Sequence, residues 1–209
     1  MEYAIYPAER SDAEFIARAV MDAVGEELCV SLAGGEENLP KVRALFTRLG
    51  ASERAQYSYR NTFVAKLPDG TPIGAIVVYD GARLRELRGE FISAANEILG
   101  WSLTDEEMSR RGDETGPYEV YIDSLFVVPE FRGKGVAVAL IRQAIERKRI
   151  GNKPFGLLVE PENAVAKRLY ESLGFRQVGI SHFFSVPMLH MELRSQASGV
   201  MPIVEIIPR

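Results

Sequence analysis

Arg132, Gly133, Lys134 and Gly135 stand together in the run Val127-Val128-Pro129-Glu130-Phe131-Arg132-Gly133-Lys134-Gly135-Val136-Ala137, and their types suit the holding of an anion. Two glycines let the backbone turn tightly and keep side chains away from its amides. Arg132 and Lys134 add positive charge at the same place. A helix beginning here points its first N–H groups outward with the positive end of its macrodipole, a ready site for phosphate. Upstream, Glu119 and Asp123 put two carboxylates on one strand, groups able to take up a proton. Downstream, Asn163 and Tyr170 stand seven positions apart on a second helical stretch, close to two turns, and so share one face.

The elements that must position these residues are legible. Tyr118 to Val128 reads as a strand, and Pro129 stops it. Its two-residue period places Glu119, Tyr121, Asp123, Leu125 and Val127 on one face and Val120, Ile122, Ser124, Phe126 and Val128 on the other. Val136 to Arg149 reads as a helix with an apolar stripe at Val136, Leu140, Ile141, Ala144 and Ile145. Phe155 to Glu160 is a short apolar strand. Pro161-Glu162-Asn163 then opens a helix, with Asn163 in the N-cap position, and Leu173-Gly174-Phe175 closes it.

Three phosphate-binding patterns can be compared. No G-x-x-x-x-G-K-S/T run of a P-loop exists in the chain. Gly133 and Gly135 begin a G-x-G-x-x-G dinucleotide fingerprint, but Val138 occupies the third glycine position. The remaining pattern is Arg132, Gly135 and Ala137, with two residues and then one between them. It resembles the acetyl-CoA-binding signature of the GNAT N-acetyltransferase family. Asn163, Tyr170 and the pair Gly174-Phe175 resemble that family's second signature, in the expected order and separation. The resemblance covers Tyr118 to about Leu193.

The resemblance implies an α/β fold of the α+β type: a central mixed, mostly antiparallel sheet of six or seven strands flanked by helices. It implies direct transfer of an acetyl group from acetyl-CoA to an amine. Backbone amides near Leu125, Phe126 and Val127 are expected to meet the pantetheine arm, and those of Arg132, Gly133, Lys134, Gly135, Val136 and Ala137 the pyrophosphate. Asn163 is either a pantetheine contact or the helix cap alone. Tyr170 matches the tyrosine proposed across the family to protonate the departing thiolate. Asp123 is the preferred base, with Glu119, Glu160 and a water chain as alternatives. A catalytically silent acyl-CoA-binding sensor of the same fold is the competing reading. The acceptor amine is not specified by any residue pattern.

The rest of the chain is consistent with one domain over residues 1–194 and a tail over 195–209. The 209 residues are enough for a full core, and 46% apolar with 26% charged residues is ordinary for a globular protein. A net charge of −4 argues against nucleic acid or an anionic membrane as the main partner. Cys29 stands alone, which excludes an internal disulfide framework and suits a reducing compartment. No metal-ligand spacing is visible. No apolar run reaches ~18 residues and no signal peptide is recognisable, so a cytoplasmic location is expected.

Tyr3 to Tyr6 reads as a strand and Ser11-x-x-Glu14 as a capping box, with Phe15, Ile16, Ala19, Val20 and Val24 as its helical stripe. Leu39 to Leu49 is a second helix, and Ser52 to Tyr59 continues as a short third. Thr62 to Leu67 and Ile73 to Tyr79 form a hairpin about Pro68-Asp69-Gly70-Thr71. The apolar run from Ile73 to Val78 predicts a central strand. Residues 81–116 form a helical insertion between the third and fourth strands, which could serve as an acceptor-site lid, a homodimer surface or a simple packed excursion. Arg142, Arg147, Lys148, Arg149 and Lys153 are either contacts for an adenosine phosphate or a solvated face. Phe175 to Phe184 and Pro187 to Leu193 read as a final antiparallel pair. The tail contains a polar linker, and Pro202 to Pro208 then regains apolar character at Ile203, Val204, Ile206 and Ile207, an edge strand or a surface packed on a neighbouring subunit.

Overall fold

A computed structural model describes residues 1–183 and 186–194; the predicted linker and tail, with Phe184, lie outside them. The strands are β1 (Ala4–Pro7), β2 (Thr62–Lys66), β3 (Pro72–Asp80), β4 (Val120–Val127), β5 (Phe155–Val159), β6 (Arg176–Phe183) and β7 (Val186–Leu193). The helices are α1 (Ala13–Val24), α2 (Glu26–Ala33), α3 (Leu39–Ala51), α4 (Leu84–Leu99), α5 (Asp105–Arg110), α6 (Val136–Arg147) and α7 (Ala164–Ser172). One sheet runs in the order β1-β2-β3-β4-β5-β7-β6, antiparallel at every step except the parallel pair β4–β5. The expected mixed, mostly antiparallel sheet with a helical insertion before its fourth strand is what the chain forms.

The apolar run of β3 is explained by its place between β2 and β4, with both faces covered. Val77 and Tyr79 pack with Ile16, Val20, Leu45, Phe46 and Phe91 in a front core formed by α1, α3 and α4. Ile76 and Val78 pack with Val136, Leu140 and Ile141 in a back core under α6. The stripe expected on α6 is buried at all five positions, and each large side chain so buried contributes on the order of 1.5–3 kcal/mol. Gly74 lets α6 sit close: a Cβ there would lie 3.1 Å from Leu140 and 3.2 Å from Val136.

Three local expectations are corrected. Ser11 does not cap α1; the cap sits one residue on at Asp12, whose carboxylate accepts the Glu9 amide at 2.9 Å and pairs with Lys66 at 2.7 Å. Gly25, with φ of 88°, ends α1, and a separate helix, α2, follows it before Leu39, where none was expected. Ser52 to Tyr59 is no α-helix but a set of turns ending in a short 3-10 stretch at Tyr59–Asn61. Its side chains bond to the backbone, as in Ser58 Oγ to the Ser52 carbonyl.

The two-residue alternation predicted for β4 also fails, for a definite reason. Val77 pairs with Ser124 and Val78 with Ile122, so Asp123 is the extra residue of a β-bulge. Before the bulge, Tyr121 packs in the front core and Ile122 in the back. After it Leu125 and Val127 pack against the back core and Phe126 in the front one, opposite to the predicted faces. Asp123 itself remains with Tyr79 on the front side.

Candidate active site

β4 and β5 pair over only three positions, Val120–Phe155, Tyr121–Gly156 and Ile122–Leu157. Beyond Ile122 the bulge turns β4 away, and residues 124–127 have a sheet neighbour on the β3 edge alone. The backbone of Leu125, Phe126 and Val127 therefore borders an opening between the two strands.

At the end of β4 the loop runs into α6. Gly133 and Gly135 adopt φ of 71° and 83°, and a Cβ at either would meet nothing within 4 Å. The loop is thus strained for other residues while the space before it is open, as an approaching phosphate requires. Ala139 donates to the Gly135 carbonyl at 3.0 Å as the first bond of α6. The amides of 136–138 precede any helical partner. Arg132 is engaged within the protein: its amide donates to the Pro129 carbonyl at 3.1 Å, its Nε donates to the Val127 carbonyl at 2.8 Å and its guanidinium lies 3.6 Å from Asp22. Lys134 sits over the Phe131 ring at 5.3 Å. The loop fits a pyrophosphate held by backbone donors.

Asn163 is the cap of α7, its Oδ1 accepting the Ala166 amide at 3.1 Å. Its side-chain NH2 is not used by that bond. Tyr170 is buried in the back core, edge-on to Phe175 at 5.8 Å. Burial pushes its phenol up to about 12. Glu160 is exposed at the turn into α7.

The front side of the bulge carries the titratable chemistry. Asp123 Oδ2 accepts the Tyr79 hydroxyl at 2.8 Å and Gln56 Nε2 at 3.3 Å, while Oδ1 accepts the Ser124 hydroxyl at 2.9 Å. Gln56 Nε2 also reaches Glu114 Oε1 at 3.2 Å. Glu114 Oε2 in turn holds Arg88 at 2.6 Å, and Arg88 holds Asp113 at 2.7 Å. Arg88 is only 2% exposed. Burial raises the Asp123 carboxyl to about 6, the nearby Glu114 charge adds to the rise, and the donated hydrogen bonds oppose it. Tyr57, Tyr79 and Tyr121 are pushed well above the usual phenol value, chiefly by burial and then by Asp123. They stay neutral, with Tyr79 donating to Asp123, and within this network Asp123 is the group that titrates near neutrality.

Glu119 is held elsewhere. It crosses over Gly156, where a Cβ would lie 1.6 Å from its Oε2, and meets His190 Nε2 at 2.8 Å. Its other oxygen accepts the Thr115 hydroxyl at 2.6 Å. The bond to Glu119 raises the His190 imidazole above its ordinary value. Ligand atoms of Glu119, His190 and Glu192 lie within 4.8 Å of one another, a grouping that sequence spacing did not display. Arg194 engages Glu192 at 2.9 Å.

Sequence reasoning found Asp123 but missed Gln56, Tyr79, Glu114, Arg88 and His190. One signal was present: Arg88 falls four residues after Leu84 and one after Leu87, inside the buried stripe of α4. Two of the basic residues considered as phosphate contacts are engaged internally: Lys148 donates to the Arg60 carbonyl at 3.0 Å, and Lys153 pairs with Asp80.

A family model described as "Acetyltransferase (GNAT) family" matches residues 36–175. The chain belongs to that family. Among curated relatives, the N-acetylaspartate synthetase of Danio rerio is 40% identical over 82 residues, covering 38% of this GNAT chain and 27% of that protein. The match thus spans about a quarter of that relative's length. A crystal structure of an acetyltransferase superposes with a TM-score of 0.69 at 23% identity, covering 92% of this chain and 100% of the other. The PaiA N-acetyltransferase of Thermoplasma acidophilum, solved in complex with coenzyme A, gives 0.56 at 15% identity, covering 93% and 100%. These two likenesses carry the fold. Among the described residues no helix is long and apolar enough to cross a membrane.

Proposed function

We propose that this GNAT domain is an acetyl-CoA-dependent N-acetyltransferase that transfers the acetyl group directly to a primary amine. The observation that carries the reading is the bulge at Asp123. It opens β4 from β5 and at the same point fixes a carboxylate raised to about 6, beside a loop fit for a pyrophosphate. A base is most effective with a pKa near working pH, and Asp123 is so placed. Glu119 is committed to His190 and Thr115, which favours Asp123 between the two carboxylates.

Acetyl-CoA, when bound, supplies the activated thioester. The amides of 133–137 hold its pyrophosphate, that of Arg132 being taken by the Pro129 carbonyl; those of Leu125, Phe126 and Val127 hold its pantetheine arm, and the NH2 of Asn163 adds a donor at the same arm. Asp123 takes the proton that the acceptor nitrogen loses as it bonds to the acetyl carbon. Tyr170 gives its phenolic proton to the sulfur as the carbon–sulfur bond breaks. Tyr79 and Gln56 hold the Asp123 carboxylate in place throughout.

The test is thiol release from acetyl-CoA over a panel of amines, with Tyr170→Phe beside the wild type. Turnover on one amine class is expected, with kcat lower by about 10- to 100-fold in the variant. That is the low end of acid catalysis, because a thiol of pKa ~8.5 is already a fair leaving group. Binding of acetyl-CoA by calorimetry with no turnover on any amine would instead favour a silent acyl-CoA sensor. No binding would remove the reading.

A further inference from the structure

The insertion is rich in arginine, and its arginines are not alike. Arg83 pairs with Glu86, Arg85 with Asp105 and Asp113, Arg88 with Asp113 and Glu114, and Arg110 with Glu106. Arg111, at the end of α5, makes no side-chain hydrogen bond or ion pair to another described residue. Glu107, whose carboxyl Arg111 helps to lower, is itself held by the Thr104 amide and hydroxyl at 2.8 and 2.9 Å. Arg111 borders two cavities. One, of about 20 Å³ and so of the size of a water, is walled by Gln56, Tyr57, Arg88 and Glu114, and Gln56 reaches Asp123. The other, of about 380 Å³, falls in the size range of small-molecule sites.

The larger cavity has one kind of polar chemistry. Leu28 and Leu32 of α2 and Leu103 give it an apolar wall, with Trp101. Among the described residues its polar side-chain groups are the Arg111 guanidinium, the Trp101 indole N–H and the hydroxyls of Ser31 and Ser102, and no acidic described residue lines it. An arginine with no partner among the described residues, beside an apolar wall, fits a carboxylate carried by an apolar molecule, because the guanidinium fork matches a carboxylate in geometry as well as charge.

Resting on the proposed amine acetylation, we infer that this cavity is the acceptor subsite, and that the acceptor is an α-amino acid with an apolar side chain, its carboxylate held by Arg111. Leu28, Leu32 and Trp101 receive the side chain. Arg111 and Gln56 line the same small cavity, and Gln56 donates to Asp123, so the guanidinium end of the subsite borders the network that holds the base.

Trp101 is the only tryptophan of the chain, so its fluorescence reads occupancy of this cavity without any need for catalysis. The probes are leucine and methionine against leucinamide and methioninamide, titrated into wild type, Arg111→Gln and Arg111→Lys. The exposed, unpaired guanidinium leaves the fold unburdened by either substitution. Saturable binding of the free acids is expected, weaker by about 10- to 100-fold for the amides and for Arg111→Gln, the range of a lost charge-assisted hydrogen bond. Arg111→Lys should recover part of the loss. Equal responses to acid and amide, an unchanged response in Arg111→Gln, or no response would overturn the inference. Thiol release measured on the same samples separates the two readings. Turnover on amines lacking a carboxylate, with Trp101 silent, removes the subsite and keeps the acetyltransferase. Occupancy of the cavity without turnover keeps the subsite and removes the catalysis.

Discussion

The two sides of the proposed site, the glycine loop and the Asp123 network, are made of different material. Around Gly133 and Gly135 the working groups are backbone amides, fixed by two positive φ angles and a helix start within one short loop. Around Asp123 they are side chains drawn from Gln56, Tyr79, Arg88 and Glu114, elements separated by 26 to 67 positions. The first arrangement depends on local conformation and little on the rest of the protein. The second exists only after the front helices, the sheet and the insertion have packed. A backbone site tolerates change in its neighbours' side chains; a buried charge network does not, because removing one member leaves another desolvated and unpaired.

The comparison is broken most severely at Asp123. Asp123→Asn keeps the shape and can still accept from Tyr79 and Gln56, so the fold is retained while the base is lost. kcat/KM should fall by about 10²- to 10⁴-fold, with acetyl-CoA affinity by calorimetry unchanged. In the wild type, kcat/KM should rise with pH through about 6 as Asp123 ionises. The sign for stability is opposite. A carboxyl whose folded value lies above its unfolded value favours the native state at low pH, and that contribution is lost as pH rises from about 4 through about 6. Asp123→Asn should therefore show an unchanged or higher Tm at pH 8. A lower Tm together with lost cofactor binding would mean that the carboxylate is structural.

Arg88→Met asks whether the network supports the fold as well as the chemistry. It leaves Glu114 buried beside Asp123 without its cation. Denaturant unfolding should show a loss of about 3–5 kcal/mol, the usual cost of breaking a buried ion pair from one side. A loss below ~1 kcal/mol would mean that the triad is solvated and that the two sides of the cleft differ less than the contacts indicate.

Gly135→Ala probes the backbone side with the smallest change. An alanine at φ of 83° costs on the order of 1–2 kcal/mol, and its methyl group enters the open space before the loop. The KM for acetyl-CoA should rise by about 10-fold while the KM for the acceptor stays constant. Equal effects on both would show that the loop and the acceptor cavity move as one unit.

These differences also explain which parts could be read in advance. The α6 stripe, the central place of β3, the hairpin turn and the glycine loop each follow from residues adjacent in sequence or spaced at a helical or strand period. Asn163 as cap and Tyr170 as a buried aromatic follow in the same way. The faces of β4 were misread because period alone assumes an unbroken ladder, and one extra residue inverts every position after it. His190 gave no sign of its partner Glu119, which lies 71 positions away.

By itself, then, the sequence determined the order of elements, the apolar faces of its helices and central strand, and a loop whose glycines leave the amides bare, since each of these depends on local conformation. Only the tertiary structure decided where β4 bulges, which of two carboxylates stands free of a cation, and which arginine of the insertion finds no partner among the described residues. Those outcomes depend on burial and on contacts between distant segments, and neither burial nor the proton affinity it sets is a property of a residue before its neighbours have arrived.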